Sequence, residues 1–228
     1  FALKVGAGGQ FEGNNGPALT GAATWEAITT ADGTANAATF SAMRNMGGGS
    51  FSLDGRAAAD LVSATGFNRP EDLEIQTLAN GEQRLYVATT TNDKVFSLDL
   101  ANNEIKLFAS QDSINAATGM AVGSAFNSPD NLAIDADGNM YIIEDQGGGN
   151  ANIWFAKDTD RDGVAETVGV WATLATAGAE PTGLYFDINN PNVAFVNVQH
   201  PSSGNDALVR ISAVPEPQTY AMMLAGLL

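Results

Sequence analysis

Carboxylates at recurring positions are the chemistry this sequence has to offer. Glu71 in RPEDLEI, Asp130 in SPDNLAI and Glu180 in EPTGLYF each stand beside the proline that heads a short apolar run. Glu71 and Asp130 follow their prolines and Glu180 precedes its own, so the third equivalence is approximate. Carboxylates gathered at one place repel one another and hold protons more tightly unless a cation neutralises them. Oxygen donors of this kind suit calcium, magnesium, manganese or ferric iron. A second acidic element is DTDRDGVAE, where Asp158, Asp160 and Asp162 alternate, Gly163 permits a sharp turn and Glu166 follows. That is the first half of a calcium loop. The twelfth position is Gly169 rather than a glutamate, so the stretch predicts a calcium-stapled loop between strands and not an EF-hand.

Other chemistries are thinned out by composition. The chain has no cysteine, which removes disulfides, thiolate nucleophiles and thiolate-bound zinc or iron. His200 is the single histidine, so no multi-histidine metal site can be built within one chain. In its QHP setting it reads as a ligand, a phosphate contact or a structural hydrogen-bonding residue. With 10 Lys+Arg against 26 Asp+Glu, the formal net charge of −16 repels the phosphate backbone of nucleic acids and favours cations. Trp25, Trp154 and Trp171 read as core or blade-interface packing. The glycine runs at 47–49 and 147–149 open no helix and carry no following lysine, so they are not phosphate loops.

The elements that must position these acids follow from a repeat. Pro70, Pro129 and Pro181 are separated by 129 − 70 = 59 and 181 − 129 = 52 residues, a period of propeller-blade size. After each proline comes a short strand, a turn and a stronger strand: LEI and RLYVATTT, LAI and MYIIED, LYF and VAFVNVQ. A third strand follows in each unit as KVFSLDL, NIWFAKD and ALVRIS. The stronger strands end in polar tips, Thr91-Asn92-Asp93, Glu144-Asp145-Gln146 and Asn197 to His200, which in register would form a shared rim. RAAADLV predicts a short helix ahead of the first unit. With 228 residues and 44% hydrophobic content, one domain with a substantial core is expected. The fold predicted is all-β, a β-propeller or partial propeller of about four antiparallel blades. Its expected divisions are a Gly/Ala-rich irregular or edge segment at 1–38, the propeller region at 39–213 and a C-terminal segment at 214–228.

The runs FNRPEDLEI, LYVATTTND, FNSPDNLAIDADGNMYI, EPTGLYF and VAFVNVQHPSSGND resemble the later blades of the PhoX-type alkaline phosphatases, from about Thr39 to Ser212. The resemblance implies a six-bladed propeller with an iron and calcium cluster in its channel, hydrolysing phosphate monoesters outside the cytoplasm. By motif, Glu71 would be a metal ligand, Glu180 a second and Asp130 a third. Arg69, beside Glu71, would meet the substrate phosphate, and the implied catalytic set is Glu71, Glu180 and Arg69. The family's cluster also takes a cysteine from an earlier blade, and its members carry more sequence ahead of this region. The C-terminal VPEPQTYAMMLAGLL resembles the start of a PEP-CTERM sorting signal. That likeness implies transient membrane sorting and a location at the outer surface or extracellular matrix of a Gram-negative bacterium. Phe1 in place of an initiator methionine reads as a processed or partial chain. Two functions are therefore expected: a secreted metal-binding propeller, with calcium and iron as cofactors, that hydrolyses phosphate monoesters; or a non-catalytic matrix protein that self-assembles through propeller edges as a homo-oligomer.

Overall fold

The computed structural model describes residues 1–13, 17–145, 150–202 and 204–212. The sorting-type segment at 214–228, Gln146 of the second polar tip and the glycine run at 147–149 lie outside the described residues. The chain opens with β1 (Ala2–Val5), β2 (Phe11–Glu12) and β3 (Gly21–Glu26). A hairpin of β4 (Met43–Gly47) and β5 (Ser50–Leu53), the helix α1 (Gly55–Leu61) and β6 (Gly66–Phe67) follow. The first proline-headed unit then supplies β7 (Pro70–Thr77), β8 (Gln83–Thr89), β9 (Lys94–Asp99) and β10 (Glu104–Ser110). The second supplies β11 (Pro129–Ile134), β12 (Met140–Glu144), β13 (Ala151–Lys157) and β14 (Thr167–Leu174). The third supplies β15 (Glu180–Phe186), β16 (Val193–Gln199) and β17 (Ala207–Ser212).

Each unit is an antiparallel meander, and together the three make a propeller-type arc. The inner strands β7, β11 and β15 pack side by side. Among the described residues the proline-headed units form three such meanders, and the N-terminal strands add to the first of them or form the two small sheets β2–β6 and β4–β5. β3 pairs with β10 through Gly21 and Ala22 and with β1 along its length, widening the first sheet to six strands. Trp25, placed on this outer addition, is 41% exposed and so is not the core residue the sequence suggested.

Burial explains why these segments are strands. In β8, Arg84, Tyr86 and Ala88 are buried and alternate with half-buried Leu85 and Val87, the period of two that lets one face meet the next blade. Every residue of β12 is buried, because blades press on both its faces and its run MYII needs no polar side. The first blade interface closes Tyr86, Val95 and Phe108 against Leu132, Ile142 and Trp154. The second closes Tyr141, Ile143 and Ile153 against Leu184 and Val196. Burial of a large side chain in such an interface contributes on the order of 1.5–3 kcal/mol. Phe96, Leu98 and Ile105, on the far face of the first blade, pack under Val5 and Ala23.

Side chains also stitch inner strand to inner strand. Leu132 N–H donates to Asp72 Oδ2 at 2.8 Å, and Gly183 N–H donates to Asn131 Oδ1 at 3.0 Å. Asp72 and Asn131 both stand two residues after their prolines, so one repeat position clasps the following blade in both cases. The turn between β11 and β12 shows the same dependence on a neighbour. Gly138 has φ +79, its carbonyl accepts from Gln76 Nε2 at 2.7 Å, and a Cβ there would sit 2.6 Å from that nitrogen. Only glycine meets both demands at once.

Candidate metal and phosphate site

The mouths of the first two inner strands are set by an unusual backbone step. Arg69 and Ser128, each directly before its proline, both have φ +48. The left-handed region is uncommon for residues with a Cβ, and such conformations cost of order 1–3 kcal/mol. Hydrogen bonds hold both in place. Thr90 N–H donates to Arg69 O at 3.1 Å, and Asp145 N–H donates to Ser128 O at 2.8 Å. Ser128 N–H in turn donates to Asp93 Oδ1 at 2.7 Å, tying the second mouth to the turn between β8 and β9 in the first blade.

Around these mouths the acids converge. Arg69 Nε donates to Glu71 Oε1 at 2.8 Å, and its Nη2 donates to Asp145 Oδ2 at 3.2 Å. One guanidinium thus bridges the first and second blades, and the hydrogen bond it donates to Glu71 leads the effects that raise its pKa. Asp130 is pushed up to about 6, first by burial and then by the charges of Asp145, Glu71 and Glu180, with Arg69 opposing. Acids from three blades therefore share one electrostatic field. Glu180 accepts a hydrogen bond from Gln199 Nε2, which fixes its carboxylate at the third mouth. The residue in strict register with Glu71 and Asp130 is Thr182, whose hydroxyl donates to Asn131 Oδ1 at 2.5 Å; Glu180 occupies the place of Arg69 and Ser128.

Asp145 joins this group although its sequence position marked it only as part of a polar tip. The signal that could have singled it out is register: Pro129 pairs with Glu144, as Pro70 pairs with Thr89, so the next residue must stand beside the mouth. Glu144 itself is structural. It is buried, and its carboxylate accepts from Asn127 N–H at 3.0 Å, Asn152 N–H at 2.8 Å and Trp154 Nε1 at 2.7 Å. Burial raises its pKa, and these donors work against that rise.

The acidic loop lies between β13 and β14, away from the mouths. Among the described residues, Asp158, Asp160 and Glu166 form the one set of three or more candidate ligands whose oxygens all fall within 4.8 Å of one another. Glu71, Asp130 and Glu180 are not drawn together that tightly. Asp158 is buried and accepts from Gly163 N–H at 2.9 Å, with Arg84 at 3.6 Å; burial raises its pKa against both partners. Glu166 accepts from Thr159 N–H at 2.8 Å, a bond that leads the lowering of its pKa. Asp162, expected as a fellow ligand, instead turns to Lys106 at 3.3 Å and to Val164 N–H at 2.8 Å. Arg161 points out of the loop to the carbonyls of Asp137 and Gly138, so it does not neutralise the acids. The all-oxygen set at Asp158, Asp160 and Glu166 fits a hard cation such as calcium, and the looser acids at the mouths are of the same donor type, whereas an iron ligand set that includes cysteine does not fit a chain without cysteine.

His200 is exposed with φ +55, and its backbone N–H donates to Asp206 Oδ1 at 3.1 Å. Trp154 is core; Trp171 joins Tyr141 and Phe186 in an aromatic cluster at the second blade interface, with ring centroids 4.6–6.4 Å apart.

Residues 7–202 match the family described as "Alkaline phosphatase PhoX". The chain belongs to that family. Among solved structures, PhoX of Pseudomonas fluorescens in complex with vanadate, a transition state analogue, is similar in fold, with a TM-score of 0.52 and 21% sequence identity. The likeness covers 69% of this chain and 36% of that one, so the chain spans about a third of the length of the PhoX it matches. No curated protein matches the sequence. Among the described residues, no helix is long and apolar enough to cross a membrane.

Proposed function

We propose that this PhoX-family chain takes part in hydrolysis of phosphate monoesters, through a cation held at the mouths of its three inner strands. The observation that carries the reading is the gathering of Glu71, Asp130, Asp145 and Glu180 from three blades around Arg69, where burial first and the neighbouring acids second push Asp130 up to about 6. Such an arrangement is costly when empty and favourable when a cation enters. Calcium suits the oxygen donors; iron, if taken up, would be held by oxygens alone. When bound, the cation offsets the charge of phosphate oxygens and lowers the proton affinity of water. The chain's own residues do the rest. Glu71 and Asp145 orient the Arg69 guanidinium, whose planar fork matches two phosphate oxygens. Asp130 exchanges a proton near neutrality and yields it as positive charge arrives. Glu180, held by Gln199, closes the third side. The loop at Asp158, Asp160 and Glu166 is assigned a separate, structural calcium.

The same reading places the protein outside the cytoplasm, delivered by the PEP-CTERM-like tail to the outer surface of a Gram-negative cell. Metal analysis together with turnover of a chromogenic phosphate ester tests it. Hydrolysis that disappears with chelator and returns with calcium is expected; stoichiometric metal with no turnover sinks the catalytic part.

A second reading is favoured by the outer face of the third blade. Tyr185 and Leu208 are 58% and 67% exposed there, on strands that end the arc. In this reading the chain is a matrix protein associating with its own copies through blade faces. Size-exclusion chromatography decides it: concentration-dependent assembly supports self-association, and a monomer at all concentrations removes it.

A further inference from the structure

Beside the first mouth, between α1 and the start of β7, lies a cavity of about 610 Å³. Arg69 lines it, and so do Arg56, Asp60, Phe11 and Phe67. Arg56 is exposed on α1, and among the described residues it reaches no carboxylate within ion-pair distance. Asp60, one turn further along the helix, shares the cavity without closing on it. This sets Arg56 apart in a chain whose other cations are mostly engaged: Arg84 by Asp158, Lys106 by Asp162, Arg44 by Asp54 and Lys94 by Glu12. With a net charge of −16, a guanidinium left open beside a cavity is a local reversal of the surface field.

Phe11 adds an aromatic wall. Phe11 is 64% exposed, yet its neighbours are anchored. The next residue, Glu12, is buried, ion-paired with Lys94 and bonded by Leu19 N–H at 2.7 Å. On the other side the ring lies against Gly66, where a Cβ would come within 2.8 Å of Phe11 Cδ2. A ring fixed by a buried anchor and left open to solvent is pre-organised to stack, because little freedom remains to be lost on contact.

We propose that this cavity receives the alcohol portion of the phosphate monoester, and that it favours a planar ring bearing a second anionic group. The reacting phosphate lies at Arg69, the ring lies against Phe11, and the second anion pairs with Arg56. This assignment rests on the proposed phosphatase reading for the placement of the phosphate, and its test needs no turnover.

The full chain, loaded with calcium, is titrated calorimetrically with three non-hydrolysable probes: 4-carboxybenzylphosphonate, benzylphosphonate and methylphosphonate. The carboxylated ring is expected to bind most tightly and the methyl compound least. Arg56→Gln weakens the carboxylated probe by about fivefold and leaves the other two unchanged. Phe11→Leu, which keeps apolar bulk but removes the ring, weakens both aryl probes by about two- to tenfold and spares the methyl compound. Equal affinities for all three probes, no binding of any of them, or an Arg56→Gln effect that ignores the carboxylate overturns the assignment. Ring-selective binding in a chain that hydrolyses no ester leaves the subsite standing and removes the catalytic reading. Hydrolysis without ring or anion selectivity does the reverse.

Discussion

Replacing Asp130 by Asn removes one part-buried charge from among the acids at the mouths and tests whether burial and those neighbours make it costly to hold ionised. The carboxyl of Asp130 is raised from 3.8 to about 6. At about 1.4 kcal/mol per unit, the unscreened cost of holding it ionised is about 3 kcal/mol. Asp130 is only part-buried, and solvent screening reduces this to about 1–2 kcal/mol. The sign follows from the raised value: the stabilising contribution is complete below pH 3.8 and is lost as pH climbs through about 6. Metal-free protein therefore carries the penalty at pH 8 and sheds it in acid. Asp130→Asn is neutral throughout and should melt about 2–8 °C higher than the parent at pH 8 in chelator, with the difference shrinking towards pH 4. Added calcium should stabilise the parent more than the variant, because the variant offers one fewer anionic oxygen. Scanning calorimetry at several pH values, with chelator and with calcium, supplies the measurement. A variant that melts at or below the parent at pH 8 without metal would show that ionised Asp130 carries no penalty from burial or from its acidic neighbours, and the argument for a cation at the mouths would fall.

Arg69→Ala should abolish most ester hydrolysis and, by removing the counter-charge beside Glu71, Asp145 and Asp130, lower the melting temperature modestly in chelator; a kinetic assay with a chromogenic ester and a thermal melt read the two effects. Asp72→Ala strands the buried-side amide of Leu132 and should cost about 1–3 kcal/mol in chemical denaturation, whereas Asp72→Asn, which keeps an acceptor, should cost much less. Gly163→Ala should destabilise by at least about 1 kcal/mol, because φ is +92 and the added Cβ would meet Ser97 Oγ at 2.7 Å; unchanged denaturant midpoints would refute it. Chelator should loosen the loop at Asp158, Asp160 and Glu166 if calcium holds it, seen as faster amide exchange at Thr159 and Asp160.

The proline-headed units were legible because each carries its own turn chemistry and its own period-two runs, so β7, β8, β11, β12, β15 and β16 fall where the motifs place them. The short helix at 56–62 was legible too and appears as α1, capped by Asp54 through Ala57 N–H at 3.0 Å. The outer strands β10 and β14 were less so: EIKLFAS and TVGVWATL contain no motif, and their pairing is dictated by the sheet beside them. The neighbourhood of Glu71 and Asp130 follows from the repeat, because both stand one residue after their prolines on adjacent inner strands, whereas Glu180 holds the place of Arg69 and Ser128 and its part in the field of Asp130 needed the structure. The part played by Asp145 could not be read without register across β11 and β12. Alternating acids at 158, 160 and 162 look alike in the sequence; only Lys106, on another strand of another blade, draws Asp162 away from its companions. Glu144 and Asp145 are chain neighbours with opposite fates, one sealed among amide donors and one facing Arg69, since successive residues at a strand end point to opposite sides.

The clasps made by Asp72 and Asn131 run in one sense only: in both, the acceptor belongs to the earlier blade and the amide to the later one. Losing either acceptor would therefore orphan an amide on the blade that follows, so damage at this repeat position is passed forward along the chain to the next sheet.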